Sequence, residues 1–201
     1  MIVEFFGTPG AGKSTLIREV AAATGGAVVD MVSGHDARGR QPGRQARRVQ
    51  WAWSLVTNPR LGGFWWRSIR RDKAIVRHAL EASRRDWLVR RMEGRPGLWL
   101  VDEGPLHRLL WVLAWSGWDE EVRPLTRHAA DRLVFVATSP EVAFDRMTRR
   151  GGSNTVLDLP QRERLEALRR YHRLAAMLAD EANAVCALEA DEVVRNLESR
   201  P

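Results

Sequence analysis

An apolar run, Ile2–Phe6, broken only by Glu4, passes without a spacer into Gly7-Thr8-Pro9-Gly10-Ala11-Gly12-Lys13-Ser14-Thr15. β-Branched and aromatic residues in a short run of this kind suit a central strand of a parallel sheet. The glycine, glycine-lysine and hydroxyl spacing that follows is that of a loop wrapped around phosphates, and it demands a strand before it and a helix after it. Gly7, Gly10 and Gly12 let consecutive backbone N–H groups turn into one concavity. The helix opening there adds its N-terminal dipole. Lys13 brings a mobile charge to β- and γ-phosphates, and the Ser14 hydroxyl suits Mg²⁺. Residues Gly7 to Thr15 are therefore the expected polyphosphate cradle, and Thr15 opens a helical face of Leu16, Val20 and Ala23 turned to the sheet.

The first helix is expected over 14–23, stopped by Thr24-Gly25-Gly26. A second strand over 27–29 ends at Asp30. Parallel α/β sheets bind ligands beyond the carboxyl ends of their strands, which puts Asp30 near the phosphates. There it could take a proton from an acceptor hydroxyl or hold the acceptor in line, and a simple strand-end cap is the competing reading. A buried strand over 98–101 runs into Asp102-Glu103-Gly104, and Pro105 stands where a helix would open. Asp102 can hold Mg²⁺ through water, and Glu103 can bind or polarise the acceptor.

Further on, a fourth strand is expected over 132–137. Ser139 is then the N-cap, Pro140 the first helical residue and Glu141 a first-turn acid. That helix carries Arg146, Arg149 and Arg150 before Gly151-Gly152 and a polar loop. Arginines at the root of a glycine-hinged loop can close on a triphosphate and neutralise transition-state charge; a solvated helix end is the plainer reading. A long amphipathic helix over 159–182 turns Leu165, Leu168, Leu174 and Leu178 inward. A fifth strand over 184–188 and a last helix complete the chain. Alternating β and α units with five short apolar strands predict an α/β fold, three layers α/β/α around a five-stranded parallel sheet.

One helical insertion, about 35–95, interrupts this alternation. Residues 33–48 form a loop with five arginines, and 49–92 is helical in pattern with Trp51, Trp53, Trp65, Trp66 and Trp87. Tryptophans can line an acceptor pocket, lie on a membrane surface or stack bases, but their spacing suits the core of a helical layer.

Charge narrows the ligand class. The net charge is +7, and 30 of the 32 basic residues are arginine, so Lys13 is one of only two lysines. Such a balance favours acidic ligands such as nucleotides, phosphosugars or nucleic acid. The single cysteine, Cys186, excludes an internal disulfide and suits the cytoplasm. No apolar run approaches the roughly 18 residues of a membrane span, and Glu4 argues against a secretory leader. The expectation is one domain over 1–201.

The phosphate loop, Asp30, Asp102-Glu103-Gly104 and the segment VFVATSPEVAFDRMTRRGG, taken in order, resemble the P-loop kinases of the nucleoside and nucleoside-monophosphate kinase type. Thymidylate kinases are nearest in layout. The resemblance runs through the whole chain, with the phosphate loop as its specific part. It implies that Lys13 and Ser14 bind phosphates and Mg²⁺ and that Asp102 or Glu103 assists the metal or the acceptor. It also implies that Arg146 lies near the adenine, that Arg149 and Arg150 belong to a lid of about 146–158, and that Glu189-Ala190-Asp191 flanks the adenine. Where thymidylate kinases show Asp-Arg after the third strand, this chain has Asp102-Glu103-Gly104. The acceptor expected is therefore a sugar, an antibiotic or another secondary metabolite rather than thymidylate.

The resulting expectation is a cytoplasmic, ATP- and Mg²⁺-dependent phosphotransferase. It would act on a hydroxyl or phosphate of a nucleoside-, sugar- or metabolite-like acceptor, with a homodimer among the assemblies admitted. An NTPase or nucleotide switch without an acceptor is the alternative; the absence of Asn-Lys-x-Asp counts against a GTPase. A nucleic-acid or membrane-surface role ranks last, since no dense basic stripe accompanies a nucleic-acid motif.

Overall fold

The computed structural model describes residues 1–31, 52, 75–116, 130–150 and 160–199. Five strands, β1 (Ile2–Phe6), β2 (Ala27–Asp30), β3 (Trp99–Asp102), β4 (Arg132–Val136) and β5 (Val185–Ala187), form one sheet in the order β2-β3-β1-β4-β5. Every pairing is parallel. The described helices are α1 (Lys13–Thr24), α2 (Ile75–Arg90), α3 (Pro105–Ser116), α4 (Pro140–Arg150), α5 (Gln161–Glu181) and α6 (Ala190–Glu198). The expected α/β architecture is thus present, with a βα unit opening the chain.

Side chains on β1 alternate between two cores, as the period of a strand requires. Val3 and Phe5 join Leu100, Val134 and Val136 against Leu16, Ile17 and Val20 of α1 and Val193 and Leu197 of α6. Phe6 joins Leu133 and Phe135 against α3 and α5, through Leu106, Leu109, Leu110, Leu168, Tyr171 and Leu174. Helices therefore cover both faces of the three inner strands, β3, β1 and β4. Full burial of a Phe, Leu or Ile side chain contributes about 1.5–3 kcal/mol each. The predominantly apolar strands are needed for that reason.

Several local expectations shift. The inner face of α1 uses Leu16, Ile17 and Val20, while Ala23, in the last turn before the Gly25 cap, is exposed. β3 begins and ends one residue later than expected, so Asp102 itself is paired, opposite Phe5 and Asp30. Leu168, Leu174 and Leu178 are buried as expected, but Leu165 is only half-buried. β5 is shorter than expected, and Leu188 is 63% exposed. The arginine-rich loop 33–48, the lid beyond Arg150 and four of the five insertion tryptophans lie outside the described residues. Trp87, on α2, is half-buried with the Arg91 guanidinium 4.7 Å over its ring.

The insertion's described helix, α2, packs on α3, which in turn packs on α5. Its buried Arg84 donates to the Met31 carbonyl at 3.3 Å, tying the helix to the end of β2. The carboxyl ends of β1, β2 and β3, the start of α1 and the middle of α2 therefore meet on one side of the sheet.

Candidate active site

The loop between β1 and α1 is built as an anion cradle requires. Gly7, Gly10 and Gly12 have φ of 149°, 82° and 97°. At Gly10 the demand is also steric, since a Cβ there would lie 2.3 Å from the Ala143 carbonyl oxygen on α4. Glycine is the residue that satisfies both conditions. Gly12 caps α1, its carbonyl accepting from the N–H groups of Thr15 and Leu16.

Two donors from the far side hold the loop. The buried Thr138 hydroxyl, just beyond β4, donates to the Ala11 carbonyl at 2.8 Å, and Arg146 Nη1 of α4 donates to the same oxygen at 3.3 Å. Lys13 is buried, and its Nζ donates to the carbonyls of Gly7 at 3.1 Å and Thr8 at 3.0 Å. Burial pushes the lysine's pKa down, while Glu103 and Asp102 push it up. Its ammonium bridges the loop it would serve.

Ser14 and Asp102 meet at the mouth of this loop. The Ser14 hydroxyl donates to Asp102 Oδ2 at 2.6 Å. Two hard oxygens side by side suit Mg²⁺, which takes few protein ligands and keeps its waters and the phosphates of its nucleotide. The described residues contain no group of three His, Cys, Asp or Glu that could hold a metal without such help. Asp30 ends β2 opposite Asp102 in the register; its side chain lies outside the described residues.

Next to Asp102 the chain turns sharply. Glu103 has a φ of 48°, in the left-handed region. Its carbonyl accepts from Arg85 of α2, and its carboxylate lies 3.9 Å from the same guanidinium. Arg85 is 1% exposed, and burial together with the like charge of Arg108 lowers its pKa to about 10.

Behind Glu103, His107 anchors a buried aromatic group. Trp111 Nε1 donates to His107 Nε2 at 3.2 Å, so that nitrogen carries no proton. Nδ1 must then hold the proton and donate to the Tyr171 oxygen at 2.9 Å. Burial, and then the charges of Lys13 and the arginines, hold the ring's pKa well below its ordinary 6.5. His107 is neutral, and its 3.7 Å approach to Glu103 is therefore not an ion pair.

The structure thus brings Gly7, Thr8, Pro9, Gly10, Ala11, Gly12, Lys13, Ser14, Thr15, Asp102, Glu103 and Arg146 to one end of the sheet. Arg149 does not turn to the loop: it is exposed and pairs with Asp145 of its own helix at 3.0 Å. Arg150 is exposed at the end of α4. Glu189 is exposed at the carboxyl end of β5, as the N-cap residue of α6. Sequence reasoning missed Arg85, His107, Tyr171 and Thr138. It also read Glu4 only as a charge against secretion, although this carboxylate is fully buried on β1.

No protein-family model and no curated protein matches this chain. Solved structures do. A deoxyadenosine kinase from M. mycoides with the products dCMP and dCDP is similar, with 13% identity and a TM-score of 0.58, covering 100% of this chain and 98% of its own. The same kinase with bound dATP gives 14% identity and a TM-score of 0.54, with the same coverage. A shikimate kinase from Acinetobacter baumannii in complex with shikimate gives 17% identity and a TM-score of 0.52, covering 98% of this chain and 90% of its own. The fold of this chain is that of the P-loop kinases.

Proposed function

We propose that this chain is an ATP-dependent phosphotransferase acting on a small molecule. The observation that carries the reading is the meeting of Ser14 and Asp102 at 2.6 Å, at the mouth of the loop that Lys13 spans. The similar folds of kinases bound to dATP and to shikimate support it.

Mg·ATP, when bound, supplies the transferable phosphoryl group and the charge neutralisation of the metal. The loop over residues 7–15 would hold its phosphates through its unpaired backbone N–H groups, of which Pro9 has none, and through Lys13, and Ser14 and Asp102 would face the metal. An acceptor oxygen would attack the γ-phosphorus as the bond to the β–γ bridging oxygen breaks. Where the acceptor is a hydroxyl, its proton passes to Asp30 or Glu103. Glu103 also binds the acceptor, held in place by Arg85. Arg146, which lies against the loop, would reach the adenine and the phosphates, Glu189 would flank the adenine, and Arg149 and Arg150 would root a lid. The acceptor is a nucleoside-, sugar- or metabolite-like molecule.

The protein would work in the cytoplasm, as one domain and in an assembly that admits a homodimer. Among the described residues, no helix is long and apolar enough to cross a membrane.

The test is ADP formation from Mg·ATP by purified protein, with and without a pooled small-metabolite extract, beside Lys13→Ala. ADP that appears only with the pool, and not with the variant, supports a kinase; fractionating the pool then names the acceptor. ADP release that ignores the pool supports an NTPase or switch. Full activity in Lys13→Ala overturns the site.

A further inference from the structure

Glu4 sits where a strand of this kind should be apolar. It is fully buried in the middle of β1, opposite Val101 of β3. A carboxyl taken out of water costs free energy unless it is satisfied, so its presence needs a structural reason. Its contacts supply one. Oε1 accepts the N–H of Leu106 at 2.9 Å. Pro105 has no N–H, so this bond satisfies the first free donor of α3. The carboxyl also fills the space beside Gly104, where a Cβ would lie 2.3 Å from Oε1 and 2.4 Å from the carboxyl carbon. Gly104 has no positive φ, so it is glycine because of Glu4 rather than because of its backbone.

Gly104 directly follows Asp102 and Glu103, and Leu106 stands two residues further on. On the other side of that turn, Arg85 holds the Glu103 carbonyl. We propose that Glu4 is a positioning residue: from beneath the sheet end it sets the Asp102-Glu103-Gly104 turn, so that Asp102 faces Ser14 and Glu103 keeps its left-handed conformation. Glu4 touches neither nucleotide nor acceptor; it acts through Gly104 and Leu106. The inference rests on the kinase reading above, since that reading gives Asp102 its metal.

Burial raises the Glu4 pKa to about 8, so near neutral pH the group is largely a neutral carboxyl. Glutamine, with the same shape and an acceptor oxygen for Leu106, should therefore replace it. Leucine should not.

The experiment is calorimetric titration of ATP into wild type, Glu4→Gln, Glu4→Leu and Gly104→Ala, with and without Mg²⁺, beside a thermal midpoint for each. Glu4→Leu and Gly104→Ala should lose about tenfold of the affinity gained with Mg²⁺, the size of effect usual for a group that orients a metal ligand. Their Mg²⁺-free ATP affinity should stay near wild type, and Glu4→Gln should bind ATP and respond to Mg²⁺ as wild type does. Gly104→Ala perturbs the same turn from the opposite side, so the test stands if Glu4→Leu does not fold. A wild-type response to Mg²⁺ in the folded variants overturns the proposal, as does an equal loss with and without Mg²⁺. A wild-type protein whose ATP binding ignores Mg²⁺ overturns the kinase reading instead.

Discussion

The Ser14 hydroxyl donates to the Asp102 carboxylate at 2.6 Å, joining the first turn of α1 to the end of β3 across 88 positions of chain. One residue comes from the phosphate loop and the other from the third strand, and only the parallel pairing of β1 with β3 brings them together.

Because the two oxygens face one position, their loss should not add. Ser14→Ala and Asp102→Asn should each weaken Mg²⁺-dependent ATP binding by about tenfold or more, in the range seen for metal-site partners. The double variant should lose less than the product of the two. Titration of Mg²⁺ at fixed ATP, read by a fluorescent ATP analogue, measures all three. Strict additivity would show that the residues serve separate ends.

Arg85 and Glu103 lend themselves to a stability test. Arg85 is buried, whereas the Glu103 side chain is 26% exposed, so the pair is screened on one side only. Removing one partner of a buried pair strands the other charge, at a cost of about 3–5 kcal/mol where both are buried. Glu103→Gln should cost less than that range, because solvent reaches the carboxylate and the Glu103 carbonyl still accepts from Arg85. Adding Arg85→Met to Glu103→Gln should return part of the loss. Urea midpoints of the single and double variants decide it; a double variant less stable than Glu103→Gln would mean that Arg85 supports the fold on its own.

How much of this was legible in the sequence varies along the chain. The phosphate loop could be read residue by residue, because its glycines and Lys13 answer to local backbone geometry. The five strands could be read from short apolar runs such as residues 133–136, which strands buried on both faces need, with Glu4 the one break in Ile2–Phe6. Arg85, His107 and Tyr171 could not. Each lies on a helix whose surface pattern is ordinary, and each acquires a partner only when α2, α3 and α5 pack together. Glu4 was visible as an exception in an apolar strand, but its partner Leu106 is 102 positions away. Arg149 and Arg150 matched a lid by position, yet Arg149 satisfies itself on its own helix.

The His107 tautomer yields a spectroscopic prediction. With Trp111 donating to Nε2, the ring should remain neutral and protonated at Nδ1 from pH 8 down through its ordinary pKa of 6.5. The sign for stability follows. A folded pKa below the unfolded one gives stability that is complete above 6.5 and is lost as pH falls below it, because only the unfolded chain takes the proton. Nitrogen-detected NMR of ¹⁵N-histidine protein should show one ring that does not titrate, with its proton on Nδ1. Tyr171→Phe removes the acceptor for that proton and should cost about 1–3 kcal/mol, the penalty for an orphaned buried donor. A His107 that titrates near 6.5 would contradict the assigned network.

Glu4 should make the protein's stability depend on pH in the opposite sense. Burial raises its pKa from 4.5 to about 8, outweighing the Leu106 N–H and the charge of Arg85, which both lower it, while Asp86 adds to the rise. The folded protein then holds a proton that the unfolded chain has released. The contribution is complete below about 4.5 and is lost as pH rises through about 8. Glu4→Gln has no proton to lose there. Urea unfolding of both proteins between pH 5 and 9 should show the wild type losing stability relative to Glu4→Gln with rising pH, and the difference levelling off above about 8. A constant difference across that range would mean that Glu4 ionises as freely in the fold as in water, and that its carboxyl is not enclosed between β1, Gly104 and Leu106.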